Sequence, residues 1–340
     1  MQTTTVDPPR AAEADVPASG WPRSWPLMLL GAAVVPGLLL FVVGRWLDAP
    51  AVQAWRTVCL AITTQALPFL LLGTALSGAI NAFVPARVFT KVLPKRAAFA
   101  VPVAGMAGVV LPGCECASVP VANSLIGRGV TPAAAFAFLL SAPAINPVVL
   151  VATAVAFPSD PKMVLARCVA SLATAIVMGL LWSRFGRDEW VTRDLPEPPA
   201  PGSSRWTVFT EAARHDFLQA SSYLVVGAFA AAALRVLVPA WVFQHLAGNL
   251  AVGVITMALL AVVLALCSEA DAFVAASMTM LPLVPKLVFL VVGPAFDVKL
   301  SAMQAGMFGR RFAVRFGPAT FVVAAVVGTI VGLAVLGGGA

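Results

Sequence analysis

Long apolar stretches separated by short polar connections make up most of the chain after residue 24. A helix that crosses a bilayer needs roughly 20 consecutive apolar residues. Stretches of about that length occur at Trp25–Val43, Val52–Ile80, Thr131–Phe157 and Lys162–Phe185. The pattern therefore predicts an all-α polytopic membrane protein with about 8–10 transmembrane segments.

The polar stretches divide this membrane region into parts. Residues 1–24 contain acidic side chains and prolines without an apolar run, which is typical of a disordered cytoplasmic tail and not of a signal peptide. We predict a first transmembrane helix over residues 25–47, a first repeat over 52–185, a cytoplasmic linker over 186–210 and a second repeat over 211–340.

The second half of the chain repeats the first. One offset of 154 residues takes Gln65 to Gln219, Pro85 to Pro239 and Glu115 to Glu269. After a short deletion, the segment Pro143–Asn146 corresponds to Pro294–Asp297. Polar residues and prolines that recur at one spacing inside apolar sequence predict an internal duplication.

The distribution of Lys and Arg bears on the orientation of the two repeats. Two short apolar segments flank Cys114–Cys116, and if they count as a pair, the basic clusters Arg87–Arg96 and Arg310–Arg315 and the linker all fall in the cytoplasm. Each repeat then crosses an odd number of times, so the repeats are inverted, as in many transporters with discontinuous helices. If the segments form one crossing, the bias is largely lost.

The segment Leu111–Pro120 interrupts the apolar pattern and places Glu115 between two thiols. Broken backbone in hydrocarbon is tolerated only where protein or a cavity surrounds it, and an ionisable residue there indicates a functional site. A loop at the membrane surface is the alternative, but the second repeat has a similar cluster. The residues expected to break helices are Pro112, Gly113, Pro120, Pro143, Pro147 and Pro294.

We expect the broken segments of both repeats to meet near the middle of the membrane. Thiolates select soft metals and metalloids, whereas carboxylates supply charge and can carry protons. Alternatively, a lone buried Cys267 fills space. The candidate substrate-binding residues are Cys114, Glu115, Cys116, Asn146, Cys267, Glu269, Asp271, Asp297 and Lys299, with Cys114 and Cys116 as ligands of a transported metal.

Three motifs suggest a family. The segments Pro112–Cys116, Ser118–Val121 and Ser141–Pro147 resemble those of the bacterial permeases that include YraQ and the organoarsenical efflux permease ArsP. The resemblance implies a multi-pass permease of the bacterial inner (cell) membrane. For some members it implies efflux of trivalent organoarsenicals or thiophilic metals. Of the candidate residues, Cys114, Cys116, Pro143 and Asn146 match the family's motif positions.

The leading hypothesis is proton-coupled, secondary-active efflux of a thiophilic metal, metalloid or organoarsenical species. The partners would be that solute, protons and the lipid bilayer. The chain has no Walker-type phosphate loop, and we predict no enzymatic activity and no cofactor. The net charge of +7 follows the positive-inside bias and does not indicate nucleic acid.

Three alternatives remain at this point. One is transport of a small sulfur-containing anion, which Lys299 and helix N-termini would hold. Another is an intramembrane thiol-disulfide oxidoreductase that uses a Cys pair. A structural or assembly subunit is disfavoured, because several buried charges would be costly without a function. The oligomeric state is left open.

Overall fold

The computed structural model describes residues 49–85, 87–88, 94, 96–110, 114–191, 204–237, 250–279 and 281–337. The described residues from Ala54 onward form one compact unit. The predicted tail and first transmembrane helix lie outside the described residues, as do Pro112 and Gly113.

The described part of the chain is built from helices and short connections, which confirms the all-α prediction. The helices of the first half are α1 (Pro50–Phe83), α2 (Ala97–Ala107, followed by a 3-10 turn at Gly108–Val110), α3 (Glu115–Gly127), α4 (Pro132–Ile145), α5 (Pro147–Ala156) and α6 (Lys162–Phe185). Those of the second half are α7 (Arg205–Leu237), α8 (Leu250–Leu264), α9 (Asp271–Ser277), α10 (Leu283–Ala295), α11 (Val298–Phe308) and α12 (Arg310–Val335).

Five helical segments of this part are long and apolar enough to cross a membrane: α1, α4 with α5, α6, α7 and α12. Their outer surfaces carry large apolar side chains such as Leu60, Val151 and Ile330, each more than half exposed. Apolar side chains on the outside of a helical bundle match a lipid environment. The chain is therefore a multi-pass membrane protein.

The helices of the two halves follow one another in the same order and with similar lengths. The offset found in the sequence takes α1 onto α7 and α2 onto α8, and the shorter offset takes α4, α5 and α6 onto α10, α11 and α12. The third pair differs most, since α3 has 13 residues and α9 has 7. The linker was predicted over residues 186–210, but α7 already begins at Arg205, so the last residues of that range belong to the helix.

Helices α4 and α10 form the centre of the bundle. Almost every side chain of both helices is buried, whereas only 22% of the most apolar window of α12 is buried. Helix α4 packs against α2, α3 and α6, and α10 packs against α8 and α12. Contacts of α6 with α12 and of α4 with α10 join the two halves.

The second broken helix of each half is interrupted at a polar residue. Asn146 lies between α4 and α5, and Asp297 precedes α11. Pro147 begins α5, where its missing N–H has no cost. Pro143 and Pro294 lie inside α4 and α10 close to their ends, so the breaks come shortly after these prolines.

Pro120 lies inside α3, so the prediction that it stops a helix is wrong. A proline inside a helix removes one backbone hydrogen bond and crowds the carbonyl four residues earlier, here that of Cys116. Helix α3 is enclosed by protein along nearly its whole length. Its packing against α4 and α11 therefore maintains the helix despite the missing bond.

Candidate thiol–carboxylate site

The N-terminus of α3 places the three functional groups of the first break inside the protein. Cys114 precedes the helix as its N-cap, and Glu115 and Cys116 begin the first turn. All three are at most 1% exposed. The positive end of the helix dipole favours the carboxylate of Glu115 at this position.

The thiols of both halves meet at Cys114. Its side chain is within hydrogen-bonding reach of Cys116 in the first half and of Cys267 in the second. Cys267 is 3% exposed and immediately precedes the turn that leads into α9. All five cysteines of the chain are free thiols, so these three are reduced neighbours.

Lys299 of α11 enters this group of thiols and forms an ion pair across the halves. Its Nζ donates to Oε1 of Glu115 at 2.5 Å, and both side chains are 1% exposed. The ammonium also interacts electrostatically with Cys116, Asp297 and Cys267. We call these residues the central cluster: Cys114, Glu115, Cys116, Cys267, Asp297 and Lys299.

Asn146 and Asp297 occupy matching positions as helix caps. Oδ1 of Asn146 accepts from the N–H of Val149 at 2.9 Å, and Oδ1 of Asp297 accepts from the N–H of Leu300 at 2.5 Å. Each cap satisfies a backbone donor that the start of a helix leaves free. The carboxylate of Asp297 therefore lies at the N-terminus of α11, next to the turn that carries Lys299.

Asp271 forms a second buried ion pair, with Arg167 of α6. Nη2 of Arg167 donates to both carboxylate oxygens of Asp271 at 3.0 Å and to the carbonyl of Ser268, while Nη1 donates to Thr153 of α5 at 2.8 Å. Arg167 is fully buried. Asp271 is therefore paired with a cation that sequence reasoning missed.

Glu269 lies between the two ion pairs. It is partly exposed and interacts electrostatically with Glu115, Arg167 and Lys299. Several buried oxygens here have no hydrogen-bond partner in the described structure: Oε2 of Glu115, Oε2 of Glu269, Oδ2 of Asp297 and Oγ of Ser268. Such oxygens are costly in a dry interior, so the site has acceptor capacity for a ligand.

Two glycines related by the repeat let the site-bearing helices approach α1 and α7 closely. A Cβ at Gly73 of α1 would collide with the backbone of Ala117, two residues after Glu115. A Cβ at Gly227 of α7 would lie 2.8 Å from Cα of Lys299. The offset of 154 residues relates these two glycines, and the structure shows the contact that each one permits.

A second polar network holds the other end of α3, and sequence reasoning did not find it. Ser77 of α1 donates to the carboxylate of Asp216 on α7 and contacts Ser124 of α3 at 2.5 Å, and Asn81 donates to Ser124 at 2.6 Å. Asp216 is 2% exposed. A single Asp at the edge of a predicted span gave no signal, since such residues usually face water.

The described residues contain no group of three or more His, Cys, Asp or Glu side chains arranged to hold a metal ion. The side chain that lies among the thiols and carboxylates of the central cluster is the ammonium of Lys299. Cys59 and Cys168 lie on α1 and α6 outside this cluster. Nδ1 of His215 lies 3.6 Å from Oδ1 of Asp216.

An all-helical, multi-pass fold with broken helices around a buried ionisable site is typical of membrane permeases. Residues 51–333 match the model of a family described as a predicted permease (ArsP_1), and the chain belongs to that family. It is 34% identical to the UPF0718 protein YcgR of Bacillus subtilis, over 76% of this chain and 90% of that protein.

A second relative comes from Streptococcus mutans. It is 31% identical over 81% of this chain and 94% of its own length, and its name describes a subunit of a two-component membrane permease complex. No solved structure matches the chain.

Proposed function

We propose that the protein is a secondary-active exporter of a thiophilic metal, metalloid or organoarsenical species that binds at the central cluster. The observation that carries the proposal is that Cys114 lies within reach of one further thiol from each half, Cys116 and Cys267, next to the buried carboxylate of Glu115. Soft thiolate ligands select soft metals and metalloids. Efflux, as opposed to uptake, rests on the resemblance to organoarsenical exporters.

The charge balance of the site favours a cationic or neutral cargo over a small anion. Four carboxylates, those of Glu115, Glu269, Asp271 and Asp297, face two cations, and both cations are already paired with carboxylates. An anion would need an uncompensated positive charge, since burying a charge without a partner is expensive. The alternative of a sulfur-containing anion held by Lys299 is therefore the weaker one.

One observation favours the oxidoreductase alternative. No other cysteine lies near Cys267 along the chain, whereas the structure brings Cys267 next to Cys114. Three adjacent thiols could exchange disulfides. The two functions differ in one requirement, because an exporter needs reduced thiols throughout its cycle and an oxidoreductase needs a disulfide to form.

Proton coupling is the drive that we propose for export. Glu115 is not an isolated carboxylate, because Lys299 neutralises it. Asp297 and Glu269 also retain a carboxylate oxygen without a hydrogen-bond partner, and among the described residues neither of them forms a salt bridge. These two carboxylates are therefore the better candidates for proton transfer, and Glu115 is the better candidate for cargo binding.

The test is a resistance assay in a host that lacks its own exporters, with arsenite, methylated arsenite, antimonite, copper, zinc and cadmium. We expect the gene to confer resistance to at least one of them. Cys114→Ser, Cys116→Ser and Cys267→Ser should each abolish that resistance at an unchanged amount of protein in the membrane, because each removes one converging thiol.

Cys59→Ser and Cys168→Ser are the matched controls, since both thiols lie outside the central cluster. Equal losses for all five variants would indicate a folding defect and contradict the site. Normal resistance in cells whose site thiols are trapped as a disulfide would contradict metal export. Activity that requires this disulfide would support the oxidoreductase.

The name of the Streptococcus mutans relative supports a further element of the proposal. We expect this chain to function with a second membrane subunit, which co-purification from its native membrane would reveal as a stoichiometric partner.

A further inference from the structure

The position of Lys299 is unusual for a residue that only stabilises the fold. It lies in the first turn of α11, where the positive end of the helix dipole disfavours a cation. It is also fully enclosed, at 1% exposure. A buried cation persists only when carboxylates compensate for its lost hydration, and Glu115 provides that compensation from the other half of the protein.

The surroundings of the ammonium are those expected of a cation-binding site. Its electrostatic partners are Glu115, Cys116, Asp297 and Cys267. These are oxygen and sulfur groups of the kind that would ligate a soft cation. The lysine therefore fills the place that a cationic cargo would need.

A second acceptor, the carboxylate of Asp297, interacts electrostatically with the ammonium. Oδ1 of Asp297 caps α11, but Oδ2 is buried without a hydrogen-bond partner in the described structure. Asp297 is two residues from Lys299 on the same helix turn. If the ammonium left Glu115, Oδ2 of Asp297 could receive it without exposing the charge to hydrocarbon.

We propose that Lys299 is a tethered counter-ion that a thiophilic cation must displace from Glu115. This inference rests on the proposed function of the central cluster. When the cation binds to Glu115 and the thiols, the ammonium moves to Asp297. When the cation leaves, the ammonium returns and compensates the charge of Glu115 in the empty site. The site thereby selects cations and binds them weakly enough to release them.

The direct test is cadmium binding by the purified full-length protein in nanodiscs, followed through the ultraviolet thiolate-to-cadmium absorption. Lys299→Met removes the competing cation, so its affinity for cadmium should exceed that of the wild type by on the order of tenfold or more. Lys299→Arg keeps a cation and should not gain affinity. Resistance should fall in the Lys299→Met variant, because a tightly held cation is released slowly.

Lys286→Met is the matched control, since Lys286 is another lysine at low exposure in α10, where its electrostatic partner is Asp160. Its cadmium affinity should stay at the wild-type value. An affinity of Lys299→Met equal to or below that of the wild type would overturn the displacement model alone. If cadmium produces no thiolate absorption in any variant, the proposed cargo class fails as well.

Asp297→Asn tests the second acceptor in a protein that keeps Lys299. The amide oxygen can still cap α11, and the ion pair of Lys299 with Glu115 is untouched. We expect weaker cadmium binding, because the displaced ammonium loses its second acceptor. In a Lys299→Met background the same change should have no effect, and an equal loss in both backgrounds would overturn the proposal.

Discussion

Arg167 is a fully buried guanidinium in the middle of an apolar helix, and its partners explain how it is tolerated. It donates to Asp271, to Thr153 and to the carbonyl of Ser268. A planar guanidinium is suited to contacting both oxygens of a carboxylate. Because Asp271 begins α9 in the other half, this one side chain holds α9 against α5 and α6.

We predict that Arg167→Met destabilises the protein by about 3–5 kcal/mol, because it leaves Asp271 buried without a counter-charge. The measurement is the unfolding midpoint of detergent-solubilised protein. The double variant Arg167→Met/Asp271→Leu should recover much of the loss, since no charge then remains unpaired. Arg315→Met is the control, because Arg315 is exposed, where it forms a cation–π interaction with Trp190 and donates to the carbonyl of Arg311. Equal midpoints for Arg167→Met and Arg315→Met would contradict the prediction.

The sequence indicated several of the residues of the site, but it did not indicate their pairing. Cysteines and carboxylates inside apolar runs are conspicuous, so Cys114, Glu115, Cys267 and Asp271 could be singled out. Arg167 lies only five residues after Lys162, and a basic residue so close to the start of a predicted span is not distinguished from an interfacial one. Three carboxylates in apolar sequence, Glu269, Asp271 and Asp297, require more than one cation, and this was a usable signal. Arg167 and Asp271 lie 104 residues apart, however, so no local rule connects them.

At the scale of the elements, α3 is fixed at both ends by polar contacts that include residues of the other half of the protein. Its N-terminus is paired with Lys299 of α11, and its C-terminal part joins the network of Ser77 and Asp216. Between these ends, the backbone of α3 contacts α1 at Gly73. The order of helices could be predicted from the duplicated pattern, whereas these contacts depend on long-range packing that periodicity does not encode.

We predict that Gly73→Ala and Gly227→Ala each reduce resistance. An added methyl group would have to push α3 or α11 away and displace Glu115 or Lys299, and overpacking of this kind costs about 1–3 kcal/mol. Cadmium affinity and resistance at equal protein levels are the measurements.

Gly293→Ala is the control, because a Cβ there would meet its nearest atom, Oδ2 of Asp271, at an ordinary 3.7 Å. It should leave both quantities unchanged. A similar effect of all three substitutions would show that the close approaches at Gly73 and Gly227 do not position the site.

At the scale of the whole molecule, the two halves are interlocked by reciprocal contacts. Helix α3 of the first half packs against α11 of the second, and α9 of the second packs against α5 of the first. The first contact contains the ion pair of Glu115 with Lys299. In the second, α9 carries Asp271, which pairs with Arg167 of the adjacent α6. Two halves with the same order of helices that contact each other around a central site suit a transporter whose halves rock against each other. We propose that the two halves are inverted in the membrane.

The orientation of the halves can be tested at two equivalent positions. Ser159 precedes α6 and Arg310 begins α12, and both residues are exposed and related by the repeat offset. If the halves are inverted, the two positions lie on opposite sides of the membrane, with Arg310 inside according to the positive-inside rule. We therefore expect a membrane-impermeant maleimide to label Ser159→Cys in intact cells and Arg310→Cys only after permeabilisation.

The wild type provides the background, because its five cysteines are buried or half-buried. Labelling of both variants in intact cells would show that the halves are parallel, and labelling of Arg310→Cys alone would keep the inversion but reverse the orientation of the protein.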